Sequence, residues 1–162
     1  MGISRGVYES TKGYIITRKG EDIEFSLRII EQGFKVGLIP KAFVYHKRRT
    51  SLRQFFKQLH FFGQARVNIS RYFPKEIKMV HFFPLFFFLG LLAIPILYFV
   101  SPPLFRLASV GYATYFLLIL IDATVKNRNL WVGVLSVITS LVQLCAYGIG
   151  LAQEGLIKLT KG

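Results

Sequence analysis

Acidic residues are scarce in this chain, 8 against 21 Lys and Arg, giving a formal charge of +13 over 162 residues. Only Asp22 and Asp122 are aspartates, so the sequence contains no Asp-x-Asp. Its single cysteine, Cys145, excludes an intrachain disulfide and lies inside an apolar run, where a thiol acts as a small packing residue. The opening "MGISRGVYEST" has no apolar core of the kind a signal peptide needs. It also has Gly6 where an N-myristoylation pattern wants Ser or Thr. Charge is missing by region as well: beyond His81 the chain is mostly Phe, Leu, Ile, Val and Gly.

Three apolar stretches fill that second half, at 82–100, 104–125 and 130–153. Each is close to the roughly 20 residues with which a helix crosses a hydrocarbon core. Three buried helices of a soluble bundle would each need a polar face, and only "SPP" at 101–103 and "KNRN" at 126–129 interrupt the apolar pattern. The stretches therefore predict about three transmembrane helices within 81–162. Between His46 and Lys78, ahead of the first span, lie Lys47, Arg48, Arg49, Arg53, Lys57, Arg66, Arg71, Lys75 and Lys78 against the single acid Glu76, and Lys126 and Arg128 lie between the second and third spans. The positive-inside rule makes both places cytoplasmic. The tail with Lys158 and Lys161 then faces outward, against the rule, unless the third stretch re-enters or lies in the interface.

The polar half reads as a mixture of helix and strand. "KGYIITRKG" (12–20) is a loop, and Ile23, Leu27, Ile30 and Phe34 recur at helical spacing, predicting a helix over 22–32 capped at Gly33. "KVGLIP" (35–40) and "AFVYH" (42–46) are short β-rich runs separated by Pro40-Lys41 that predict two strands, or one strand and an extended segment. A basic segment over 50–80 follows, with Thr50 or Ser51 as helix cap and a stripe of Leu52, Phe55, Phe56, Leu59 and Phe62. Beside a span, this pattern predicts a helix lying in the membrane interface, with Phe55, Phe56, Lys57, Leu59 and Phe62 at the lipid. The alternative is a helix packed on a soluble domain.

Glu21 and Asp22 follow Gly20 at the mouth of the predicted helix, where carboxylates satisfy orphan amides and oppose the helix dipole. Their context adds a second reading. Gly20-Glu21-Asp22, then Ser26, Arg28 and Gly33, "VYH" ending at His46, and "RRTSLRQFFKQLHFFGQAR" from Arg48 to Arg66 occur in one order that resembles the acceptor half of family 2 glycosyltransferases. The likeness is to bacterial inner-membrane members with the GT-A fold and covers about residues 1–75.

That resemblance implies an α/β fold for residues 1–49, as the acceptor-side part of a GT-A domain, ahead of the interfacial helix and the spans. It implies a membrane-anchored enzyme, multi-pass in the bacterial inner membrane with its polar part cytoplasmic. Such an enzyme moves a sugar from a nucleotide sugar to a lipid-linked or glycan acceptor, with inversion. Asp22 takes the role of general base, since a carboxylate can accept the acceptor hydroxyl's proton as the new bond forms, and Glu21 binds acceptor or orients the loop. His46 corresponds to a histidine that helps hold Mg or Mn on the nucleotide diphosphate, although these ions mostly prefer oxygen ligands and a lone histidine is often structural. Arg48, Arg49 and Arg53 fall near the donor diphosphate, where guanidinium groups offset developing charge. Anionic headgroups would attract the same cluster without any catalysis.

The sequence departs from that family in one large respect. The nucleotide-binding half and its Asp-x-Asp are not among these residues, and Lys12 replaces the first glycine of the usual Gly-Gly-Phe loop. The resemblance therefore implies a C-terminal fragment, inactive by itself. The competing class is a non-catalytic membrane accessory that binds a partner. Nucleic acid is not expected as a partner, because the basic residues cluster beside the spans and no nucleic-acid-binding motif occurs.

Overall fold

A computed structural model describes residues 2–16, 18–46 and 50–161. Its elements are α1 (Arg5–Thr11), α2 (Glu21–Glu31), α3 (Leu52–Ile69), α4 (Phe83–Val100), α5 (Pro102–Asn127) and α6 (Leu130–Lys161), with two 3₁₀ turns between α3 and α4. Among the described residues there is no strand, so the α/β fold expected for residues 1–49 is not formed. Residues 35–46 run as an irregular exposed segment in which Leu38, Val44 and Tyr45 are 90%, 88% and 97% exposed. The physical reason is pairing. A strand is stabilised by neighbours across a ladder and by burial of one face, so β-rich composition alone does not make one. All the regular elements around this segment are helices.

Local signals set the helix ends. Ser4 caps α1 by accepting the Val7 N–H at 3.4 Å, and Ser51 caps α3 by accepting the Gln54 N–H at 3.3 Å. At the end of α2, Gly33 takes φ +83, its N–H donates to Ile30 O and the Phe34 N–H donates to Ile29 O. These two bonds form the Schellman arrangement, which needs a left-handed residue. The buried face of α2 is not the predicted Ile23, Leu27, Ile30 stripe. Phe25 and Ile29 are buried together with Glu24, while Ile30 is exposed.

Three helical stretches, Met79–Val100, Pro102–Asn127 and Leu130–Thr160, are long and apolar enough to cross a membrane. Pro102 at the start of α5 and a left-handed Arg128 at its end make the two sharp breaks. Within the bundle, Phe87 packs against Tyr112, Tyr115 and Phe116 with ring centroids 4.9, 5.4 and 6.1 Å away. The Tyr112 hydroxyl donates to Phe87 O at 2.7 Å, and Tyr115 and Ser140 share a hydrogen bond of 3.0 Å between α5 and α6.

The third apolar helix continues to Lys161, beyond the predicted end at 153, and its last third packs on α3. Gly63 of α3 lies against the backbone of Tyr147 and Leu151, and Gly150 of α6 lies against the backbone of His60. Two glycines facing in opposite directions let the helix backbones meet as no larger residue would. Thus the first half of α3 leaves Leu52 and Phe56 exposed, while its second half buries Gly63, Ala65, Val67 and Ile69.

Candidate functional site

The acidic pair stands at the start of α2 because Gly20 adopts φ +97, a conformation that favours glycine. A Cβ at Gly20 would also come within 2.7 Å of Ile69 Cδ1, so the loop passes directly over the end of α3. Side chains hold this crossing in place. Asn68 Nδ2 donates to Arg18 O and Lys19 O at 3.3 and 3.1 Å, and Lys19 Nζ reaches Glu154 of α6 at 2.6 Å. Glu154 is 5% exposed and also accepts from Arg71 at 3.3 Å.

Behind the pair, Glu24 and Arg28 fix α2 to the preceding loop. Glu24 is 1% exposed and receives Arg28 Nε at 2.7 Å. Arg28 also donates to the carbonyls of Thr11 and Gly13. A buried carboxylate with a hydrogen-bonded guanidinium is tolerated where an unpaired one would not be. The sequence reading identified Arg28 only through the family resemblance and assigned Glu24 no role.

A cavity of about 590 Å³ opens in front of Glu21 and Asp22. Its other walls are Tyr14, Phe61 and Phe62, Arg66, His81 and Tyr147, drawn from the loop, α3, the turn before α4, and α6. Asp22 is exposed, and its Oδ1 accepts the Ile23 N–H at 2.9 Å. Glu21 is half-buried, and its Oε2 is buried with no hydrogen-bond partner among the described residues. Native interiors rarely leave such an acceptor unmatched. One carboxylate thus meets solvent, while one oxygen of the other is closed off from it.

A second, mostly apolar cavity of about 300 Å³ adjoins the first, bounded by Leu59, Val80, Pro84, Gln143 and Leu144. The two share Phe62, His81 and Tyr147. The two cavities thus lie side by side, the first walled in part by the carboxylates and the second by apolar surfaces of α3, α4 and α6.

The remaining sequence-predicted residues fall elsewhere. His46 is exposed at the end of the irregular segment and is not part of this cavity wall. Among the described residues, no three His, Cys, Asp or Glu side chains gather as a metal site; the resemblance places most of the ligands for Mg or Mn on an Asp-x-Asp that these residues do not contain. Arg48 and Arg49 lie outside the described residues. Arg53 and Lys57 are exposed on α3, away from the cavity. Phe62 lines it, whereas Leu59 is buried in the adjoining recess and Phe56 is exposed.

Arg66, His81 and Tyr147 join the acidic pair although the sequence reading gave them no role in chemistry. Arg66 stands one helical turn beyond Phe62, which was a usable signal. Nothing local marks Tyr147, which arrives from far along the chain. Compared with protein-family models, curated proteins and solved structures, the chain gives no match.

Proposed function

We propose that this chain supplies the acceptor side of a membrane-anchored glycosyltransferase acting on a lipid-linked or glycan acceptor. The observation that carries the reading is the pair of neighbouring cavities, one lined by two adjacent carboxylates and the other mostly apolar, beside helices able to enter a bilayer. An amphiphilic acceptor suits this arrangement, with its hydroxyl toward the acidic pair and its apolar part along Phe62, Leu59 and Leu144.

In this reading the Asp22 carboxylate accepts the proton of the acceptor hydroxyl. The hydroxyl oxygen bonds to the anomeric carbon of the sugar, and the bond from that carbon to the nucleotide's phosphate breaks. Glu21, which lines the same cavity, accepts a hydrogen bond from a neighbouring acceptor hydroxyl or orients the loop. Arg66 contributes positive charge at the cavity wall. The donor-binding groups of the resembled family are not among the 162 residues. The chain alone is therefore expected to show no turnover of a nucleotide sugar.

The role is tested in cells whose copy of the gene is deleted and replaced by Asp22→Asn. Loss of the dependent glycan by about 10²-fold or more is expected, the scale of a missing general base. A glycan profile equal to wild type would remove Asp22 from that role. A non-catalytic accessory reading has one observation of its own, the exposed apolar segment at 35–46. It predicts that Leu38→Ser with Val44→Ser abolishes the glycan while Asp22→Asn leaves it intact.

A further inference from the structure

The chain enters its first apolar helix at Pro84 and is back beside that point at Gly148, where an added Cβ would lie 2.6 Å from Pro84 O. Between these residues lie α4, α5 and the first half of α6. If each made one complete crossing, Pro84 and Gly148 would be on opposite sides of a hydrocarbon core about 30 Å thick. Backbones in contact cannot be so separated, so α6 has not completed a third crossing by Gly148.

The rest of α6 carries the argument further from the bilayer. Gln153 bonds Gln64 at 3.1 Å, Glu154 takes Lys19 and Arg71, and Lys158 Nζ reaches Ser70 Oγ at 3.2 Å. All four partners belong to α3, the residues just after it, or the loop leading to the acidic pair. Ser140, Gln143, Tyr147, Glu154 and Lys158 recur along one face of α6, and each faces another part of the protein.

We infer that α6 ends on the same membrane face as Glu21 and Asp22, so that only two of the three apolar helices make complete crossings. Glu154 then fastens the acidic loop to the membrane bundle from its own side of the bilayer. The arrangement also removes the outward-facing Lys158 and Lys161 that three crossings would require, and puts them with the basic residues preceding α4. The inference rests on contacts alone and holds whatever reaction the site performs.

Cysteine labelling tests it in the full-length protein with Cys145→Ser as background. Lys35→Cys and Thr160→Cys, both at exposed positions, are treated with an impermeant maleimide in sealed right-side-out and inverted vesicles. Both are expected to label in the same vesicle orientation and to lose labelling in the other. Labelling in opposite orientations would overturn the inference. Independently, a short bis-maleimide is expected to cross-link Ser70→Cys to Lys158→Cys within one chain. Absence of that link in protein whose two cysteines each react singly would also count against it.

Discussion

Glu24 and Arg28 make the sharpest contrast among single residues. Their side chains are 1% and 13% exposed, and the guanidinium serves two loop carbonyls as well as the carboxylate. Arg28→Ala leaves Glu24 buried without a counter-charge and is expected to destabilise the polar half by about 3–5 kcal/mol. Arg5 and Glu9 have the same i, i+4 spacing but lie in solvent. Arg5→Ala is therefore expected to cost no more than about 0.5 kcal/mol. Limited proteolysis across a temperature series, read at the Thr11–Tyr14 loop, ranks the two variants. Equal protection in both would contradict the buried pairing. Spacing alone could not distinguish these pairs, because exposure depends on which face of each helix finds a partner. The acidic pair was legible from its position after Gly20, whereas the cavity it shares with residues of α3 and α6 exists only once the chain has folded.

At the scale of elements, the contact between α3 and α6 depends on Gly63 and Gly150. Gly63→Leu or Gly150→Leu drives a side chain into backbone that cannot move aside without separating the helices. Each is expected to cost more than the about 1–3 kcal/mol typical of overpacking, measured as a lowered melting temperature in detergent. An unchanged melting temperature would mean that the helices do not touch there. By comparison Ser51→Ala removes one cap bond of α3 and should cost about 1 kcal/mol. Helix ends were legible because caps are local: Ser51 and Gly33 act through residues three or four positions away. The buried face of α2 was not. Ile23, Leu27 and Ile30 form a stripe at helical spacing, but so do Phe25 and Ile29, which are the buried pair, with Tyr14 of the loop against Phe25 and α1 against α2. The segment 35–46 failed as strand for a related reason, since a strand's partner is not encoded in its own residues.

Over the whole molecule, Glu154 connects the far end of the chain to its beginning. Glu154→Gln keeps the shape and removes the charge that receives Lys19 and Arg71. Trypsin is expected to cut after Arg18 and Lys19 faster in this variant than in wild type, followed by mass spectrometry of the released peptides. Unaltered cleavage there would show that α3 alone holds the loop. By itself the sequence determined that the second half is helical and suited to lipid. Long apolar runs placed in hydrocarbon must satisfy every backbone group internally, and Pro102 and Arg128 punctuate them. It also determined the helix caps and brought two carboxylates to a helix start. The tertiary structure decided what those helices do to one another: α6 returns to α3, Glu24 and Glu154 become buried, and Arg66, His81 and Tyr147 close a cavity around Glu21. These are contacts between residues far apart in the chain, set by close backbone approach and charge pairing, and no local pattern contains them.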